Sequence, residues 1–459
     1  MAAIVKRNES YSVVFNYVDE TGKTKQKWET FRNYKDARKR KAEIEVQLID
    51  ESFIPPSTQT VAEFMRDFIT LYGEKRWGVS SYDANVGLIN NYINPILGTT
   101  PIQLINVRGV DQFVRKLQST FSVASLNKGH TPKLLSESNI EKIAQLMRTA
   151  FKQAVRWDLI QKNPFDNAVL PKVHYKPRDI WTAEMIRTAL EACTESKLYI
   201  AMNLSFACSL RLGEILGLTW SNVHMTDADI MADNAFVYID KELTRATLHA
   251  IEALGKKEIF HIFEPMKRDA STRLILKTTK TKSSVRKVWL PKTVAYILRE
   301  WKKSQDELRK YYVHDYEEHD LVISLPKGTP CDGRLIEESF QNLRTKAGLP
   351  RVVFHSLRHS STTYKLKLNH GDLKATQGDT GHAEIDMITK VYAHILDEDR
   401  KINAQKFETA FYSNPDLRAV KPPESPESVL ELDHLIEQLR RSPGLKKTVS
   451  QLIAANDFS

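Results

Sequence analysis

The chain has 459 residues, more than a single hydrophobic core normally supports, so several domains are expected, roughly two to four. Sixty-seven Lys and Arg against 57 Asp and Glu leave a formal net charge of +10, a surplus that favours a polyanionic partner. Three scattered cysteines (Cys193, Cys208, Cys331) exclude a disulfide framework or zinc ribbon and fit a reducing cytoplasm, while the absence of an apolar signal core or long apolar run argues against secretion and membrane insertion.

In the first segment, Met1 to about Pro56, Tyr11, Val13, Phe15 and Tyr17 alternate on one face of a strand. Asp19-Glu20-Thr21-Gly22 is a turn, and Lys23 to Phe31 reads as a second strand carrying Lys23, Lys25 and Lys27. Asn33 is placed to cap a helix whose Ala37, Ile44 and Leu48 face inward. Its basic run, Arg38-Lys39-Arg40-Lys41, is by default a solvated helix face. Pro55-Pro56 breaks the chain, and from Thr60 the pattern becomes helical. Thr60 with Glu63 forms a capping-box pattern ahead of Phe64, Phe68 and Leu71, which share a face. Ser80–Tyr92, Val107–Gln118 and Ser138–Trp157 extend this into a compact helical domain that ends at Asn163-Pro164-Phe165. The stretch Ser122–Ser136, with Lys128, His130 and Lys133, is an exposed loop that could serve equally as plain surface or as a phosphate contact. Pro171 to Arg178 reads as an extended connector.

Thr182 caps the next helix, Ala183–Cys193. Leu198 to Leu218 is then a helical run, or a pair of runs, apolar on nearly all sides, with Arg211 inside it. A guanidinium in such surroundings must find partners, because burying an unpaired charge is prohibitive, and Glu214 three residues on offers an internal ion pair. Short strands follow, the first at Ala235–Ile239. Lys241–Leu276 is a polar, poorly periodic insertion without readable chemistry. Thr278 to Pro291, polar turn residues before a β-like run, predicts a hairpin. Lys292–Lys310 is an amphipathic helix with Val294, Ile297, Leu298 and Trp301 inward, and Arg334–Gly348 another with Phe340 and Leu343 inward.

The most chemically loaded stretch runs from His355 to Tyr392. A helix over Phe354–Leu368 would set His355 and Arg358 three residues apart on one face, where a donor and a fixed cation can converge on one small anion. His355 and His359 also have the spacing of a zinc pair, but Ser356 stands where a metalloprotease has glutamate and no cysteine lies close, so no metal is expected. Gly381-His382 is followed, nine residues on, by Tyr392. A phenol near Arg and His suggests covalent attack on a phosphorus centre that those groups make electrophilic. Beyond it, Pro422-Pro423-Glu424-Ser425-Pro426 is a linker. Glu427–Arg441 is an amphipathic helix with Val429, Leu432, Leu435, Ile436 and Leu439 on one side, able to pack on its own domain or on a neighbouring protomer.

The string His355-x-Leu357-Arg358-His359, then Gly381-His382, then Tyr392, preceded by Ser209-Leu210-Arg211-Leu212-Gly213-Glu214 running on to Trp220, resembles the tyrosine recombinase (phage integrase) family, in particular integrases of conjugative transposons and temperate phages. The resemblance is strongest from about Trp181 to Tyr412. It implies a multidomain α+β fold: an arm-type DNA-binding domain of a small β-sheet plus a helix over 1–56; an all-α core-binding domain with its linker over 57–174; a mainly α catalytic domain with a small antiparallel sheet over 175–412; and a C-terminal tail over 413–459.

The resemblance also implies the chemistry. Arg211, Lys280, His355, Arg358 and His382 would surround one phosphate that Tyr392 attacks, with Glu214 an orienter. The arginines would neutralise the non-bridging oxygens, His355 assist deprotonation of the phenol, His382 donate to a non-bridging oxygen, and Lys280, or Lys282 one slip away, protonate the leaving 5′-oxygen. No cofactor and no metal is called for. Implied partners are double-stranded DNA at core and arm sites, a homo-tetramer on that DNA around a four-way junction and, as an optional addition, an accessory DNA-bending or excision protein; no membrane is involved. A type IB topoisomerase shares the covalent chemistry, and a non-catalytic DNA-binding protein could share the fold. The N-terminal sheet favours the recombinase, and the intact catalytic set argues against the non-catalytic protein.

Overall fold

The computed structural model describes residues 2–18, 22–50, 52–126, 131–173, 180–265 and 270–381, the side chain of Lys282 excepted. The chain starts as a three-stranded antiparallel meander, β1 (Ala3–Arg7), β2 (Ser10–Val18) and β3 (Thr24–Phe31), with Val14 of β2 paired to Ala3 on one side and Trp28 on the other. The sequence pattern showed only two of these strands, because five residues ending in Lys-Arg are too short to establish an alternation. Val13 and Phe15 turn inward onto Ala37 and Ile44 of α1 (Tyr34–Ile49). Asn33 caps that helix by accepting the Asp36 N–H at 2.8 Å.

Thr60 and Glu63 form the capping box at the start of α2 (Val61–Asp67), which continues through a π-helical turn, Phe68–Gly73. The wider turn shifts the inward stripe, bringing Tyr72 and Trp77 onto Phe68 at 4.9 and 5.6 Å between ring centroids. Helices α3 (Val79–Leu88), α4 (Val107–Gln118) and α5 (Glu137–Arg156) complete this part, around a core that includes Phe64, Phe68, Phe113, Met147 and Phe151.

Thr182 caps α6 (Ala183–Ala192), accepting the Met185 N–H, and α7 (Ser196–Ala207) and α8 (Leu212–Leu216) follow. The apolar stretch Leu198–Leu218 is thus a pair of helices, broken where Ser209 takes a left-handed φ of 54°. Then come β4 (Val223–His224), β5 (Phe236–Ile239), β6 (Lys241–Thr247), α9 (Leu248–Ala253), β7 (Ile259–Ile262), β8 (Thr272–Thr278) and β9 (Arg286–Trp289). Helices α10 (Lys292–Tyr312), α11 (Gly333–Lys346), α12 (Ser356–Leu368) and α13 (Leu373–Thr380) close the described chain. Trp181, Leu204, Ile215, Phe340, Phe354 and Leu357 lie in the large core that these elements share.

Two expectations need correction. The segment 278–291 is not a hairpin: β8 lies in a sheet of order β6-β8-β7 and β9 in another of order β4-β5-β9, so the polar turn carries the chain from one sheet to the next. The insertion after Lys241 is not structureless either; it builds the first of those sheets and α9, and its apolar residues are spent on a contact far away in sequence. Ala246, Ala250, Ile251 and Ile275 pack on Val79 and Tyr82 of α3 in the helical domain. No described helix is long and apolar enough to cross a membrane.

Candidate active site

The site is built from the break between α7 and α8. The left-handed Ser209 turns the chain so that Arg211 becomes the residue that caps α8. Glu214, in the first turn, is 1% exposed and reaches back: its Oε2 accepts the Arg211 backbone N–H at 3.0 Å and its Oε1 the Arg211 Nη1 at 2.6 Å. Two further guanidinium groups close on the same carboxylate. Arg286 of β9 donates through Nη2 to Oε2 at 3.1 Å and through Nη1 to Oε1 at 3.3 Å, and Arg358 of α12 brings Nη1 to 4.0 Å from Oε2. Burial alone would raise the Glu214 carboxyl, but the attraction and hydrogen bonds of Arg286, joined by Arg211 and Arg358, hold it below its ordinary value.

Arg358 is 1% exposed. Its Nη1 donates to the Ser209 carbonyl and its Nη2 to the Thr380 carbonyl, the latter at 2.6 Å. Burial, reinforced by the like charge of Arg211, pushes this guanidinium down to about 9, while Glu214 pulls the other way. Helix α12 starts one residue after His355, so His355 stands half-buried at its entry, its ring edge-on to that of His359 at 4.8 Å between centroids. Arg358 is thus buried, whereas Arg211 keeps 31% of its side chain exposed.

Lys280 is exposed in the turn between β8 and β9. That turn is tied to the arginines: the Ser284 hydroxyl accepts Arg211 Nη1 at 3.2 Å and pairs with the Thr281 hydroxyl at 2.9 Å. Helix α13, which the sequence pattern did not reveal, ends at Gly381 in the left-handed region (φ 66°). The Gly381 carbonyl accepts Arg211 Nη2 at 3.3 Å. Both arginines thus hold the backbone immediately before His382. His382, Tyr392 and the tail helix Glu427–Arg441 lie outside the described residues.

The structure brings together Arg211, Glu214, Arg358 and the lysine-bearing turn, and adds Ser284 and Arg286. Of these, Arg286 stands in the run Lys280–Pro291 that resembles the family pattern, but it was given no role from the sequence. Among the described residues, no group of three or more His, Cys, Asp or Glu side chains is placed to share a cation.

Residues 181–399, the span that supplies every one of these groups, match the phage integrase family. That span carries a phage integrase family domain. The ICEBs1 integrase of Bacillus subtilis is 22% identical over 324 residues, 70% of this chain and 75% of the relative. The tyrosine recombinase XerC of the same organism is 23% identical over 344 residues, 73% and 94% of the two chains. In fold, this chain resembles a fragment of the Tn1549 transposon integrase solved in complex with a circular intermediate DNA, with a TM-score of 0.56 and 19% identity over 76% of this chain and 99% of the other.

Proposed function

We propose that the protein is a site-specific DNA recombinase, the integrase and excisionase of a mobile element, which cuts and rejoins strands through a 3′-phosphotyrosyl link on Tyr392. The observation that carries this reading is the cluster of Arg211, Arg286 and Arg358 around the single carboxylate of Glu214, beside the backbone that leads to His382. Arg286 is taken up by the Glu214 carboxylate, and Arg211 and Arg358 are left to receive a phosphodiester. Arg211 has its fork partly open to solvent and meets the phosphate first. Arg358 exchanges a carbonyl contact for a non-bridging oxygen as the phosphate settles, because the two carbonyls it holds are neutral and the incoming oxygen is charged.

With the non-bridging oxygens neutralised, the phenol oxygen of Tyr392 attacks phosphorus while the bond to the 5′-oxygen breaks. His355 takes the phenol proton, His382 donates to a non-bridging oxygen, and Lys280 protonates the departing 5′-oxygen. The phosphodiester energy is kept in the tyrosyl link, so a 5′-hydroxyl from another strand reverses the step without a nucleotide cofactor. Residues 1–56 are assigned to arm-type sites, 57–174 to core sites, and 175–412 to the chemistry, with four protomers acting on a four-way junction in the cytoplasm; the tail, 413–459, is left for contacts within or between protomers.

The test uses double-stranded DNA carrying the ends of the element, nicked so that cleavage releases a short fragment and traps the covalent complex. Wild-type protein should form an adduct that migrates with the 3′-phosphate strand, and Tyr392→Phe should bind the same DNA without forming it. An adduct at wild-type level in Tyr392→Phe would move the nucleophile elsewhere, and sequence-independent relaxation of any supercoiled plasmid would point to a topoisomerase instead.

A further inference from the structure

Arg286 has no part in the chemistry just described, yet it touches three of the elements that supply it. Its Nε donates to the Asp379 carbonyl at 3.2 Å, at the end of α13. Its Nη1 donates to the Ser284 carbonyl at 2.9 Å, within the turn that carries Lys280, and to Glu214 Oε1 at 3.3 Å; Nη2 reaches Glu214 Oε2 at 3.1 Å. The residue is 8% exposed. Gly381 lies against it so closely that a Cβ there would sit 2.9 Å from the guanidinium carbon.

We propose that Arg286 is a positioning residue, whose planar fork fixes Glu214, the lysine turn and the chain entering His382 in one register so that groups from three elements reach the same phosphate. The proposal rests on the recombinase reading and deepens it. The strand that carries Arg286 gives it a rigid base, since β9 pairs with β5, Arg286 opposite Ile239, and Val288 two residues on is fully buried. Geometry explains why the residue is arginine. A guanidinium offers donors in fixed directions within one plane, so acceptors at 214, 284 and 379 constrain one another through it, whereas an ammonium is a point charge that would satisfy the carboxylate alone. Misplacement of a reacting group by about 1 Å can cost roughly 100-fold in rate.

The competing account is that Arg286 merely balances the buried charge of Glu214. Arg286→Lys separates the two, because it keeps the charge and loses the fork. Single-turnover cleavage of the nicked substrate, affinity for that substrate and thermal melting are measured for wild type, Arg286→Lys and Arg286→Gln, the second keeping an amide donor for the Glu214 carboxylate without the three-way fork should the lysine form fold poorly. Positioning predicts that at least one of these variants melts near wild type and binds DNA with unchanged affinity, and that each folded variant forms the adduct roughly 100-fold more slowly. Wild-type cleavage by either variant overturns the proposal, as does a rate loss matched by an equal loss of folded protein in both. Failure of wild type itself to form the adduct overturns the recombinase reading, and the proposal with it.

Discussion

Asp83 of α3, in the helical part of the chain, accepts two hydrogen bonds from Thr247 at the end of β6, one from its backbone N–H at 3.0 Å and one from its hydroxyl at 2.5 Å. The two residues are 164 positions apart in the chain. Beside them Tyr82 Oη lies 3.4 Å from His249 Nε2, and apolar side chains from both domains are buried together. The insertion is thus a strut between the part expected to grip DNA and the part expected to cut it. Asp83→Ala should remove two charge-assisted bonds, each worth on the order of 1.5–3 kcal/mol when made to an ionised group. We expect faster amide exchange in 247–254, which includes α9, and quicker release of DNA from the variant. Unchanged exchange and release would mean that the apolar contact alone holds the domains.

Glu214 gives a prediction in pH. Its folded-state carboxyl titrates below the ordinary 4.5, so the stability it contributes is complete above that value and is lost as pH falls through the folded pKa. Glu214→Gln removes the anion at every pH and leaves buried arginines uncompensated, at a cost on the order of 3–5 kcal/mol. Thermal melts of the two proteins should therefore differ most at neutral pH and converge as the solution is acidified below the folded pKa. A gap that stays constant with pH would show that Glu214 is protonated in the fold already.

Ser209 tests backbone strain. Its left-handed φ aims its carbonyl at Arg358, and its hydroxyl pairs with that of Ser361 at 2.6 Å. Ser209→Gly and Ser209→Ala lose the same hydroxyl, but only glycine relieves the φ, by roughly 1 kcal/mol. Glycine should melt higher than alanine here, the reverse of the order in a helix. Alanine equal to or above glycine would argue that the turn relaxes without strain.

The lysine turn can be settled chemically. If Lys280 protonates the leaving 5′-oxygen, Lys280→Ala should fail on a normal phosphodiester and recover when the 5′-bridging atom is sulfur, since a thiolate leaves without a proton. Rescue of Lys282→Ala in place of Lys280→Ala would move the role two residues, and rescue of neither would make both lysines phosphate contacts.

What could be read from the sequence was what repeats locally. Caps at Asn33, Thr60 and Thr182 announce their helices within four residues, and the inward stripes of α4 and α10 have a clear period. The ion pair of Arg211 with Glu214 was readable too, because both ends lie in one helical turn. Arg286 was not: its acceptors at 214 and 379 lie 72 and 93 residues away, and no local pattern marks a strand cation as buried. The insertion failed for the same reason. Its apolar residues answer to Val79 and Tyr82 in another domain, so their spacing follows a distant surface instead of a period of its own. Helix α13 hid behind Gly378 and a run of polar residues, and it ends at the left-handed Gly381, where a Cβ would crowd Arg286.

The guanidinium groups gathered at Glu214 should also make the resting protein sensitive to its buffer. An anion that seats against Arg211 and Arg358 binds the folded protein and not the unfolded chain, so sulfate or inorganic phosphate at a hundred times its dissociation constant would add about 2.7 kcal/mol of stability that chloride, too small and singly charged to bridge them, would not match. On the proposed mechanism the same ion would occupy the place of the scissile phosphate. Conditions chosen to keep this enzyme folded on the bench would then be those that inhibit it, and DNA displacing a stored sulfate would open its assays with a lag.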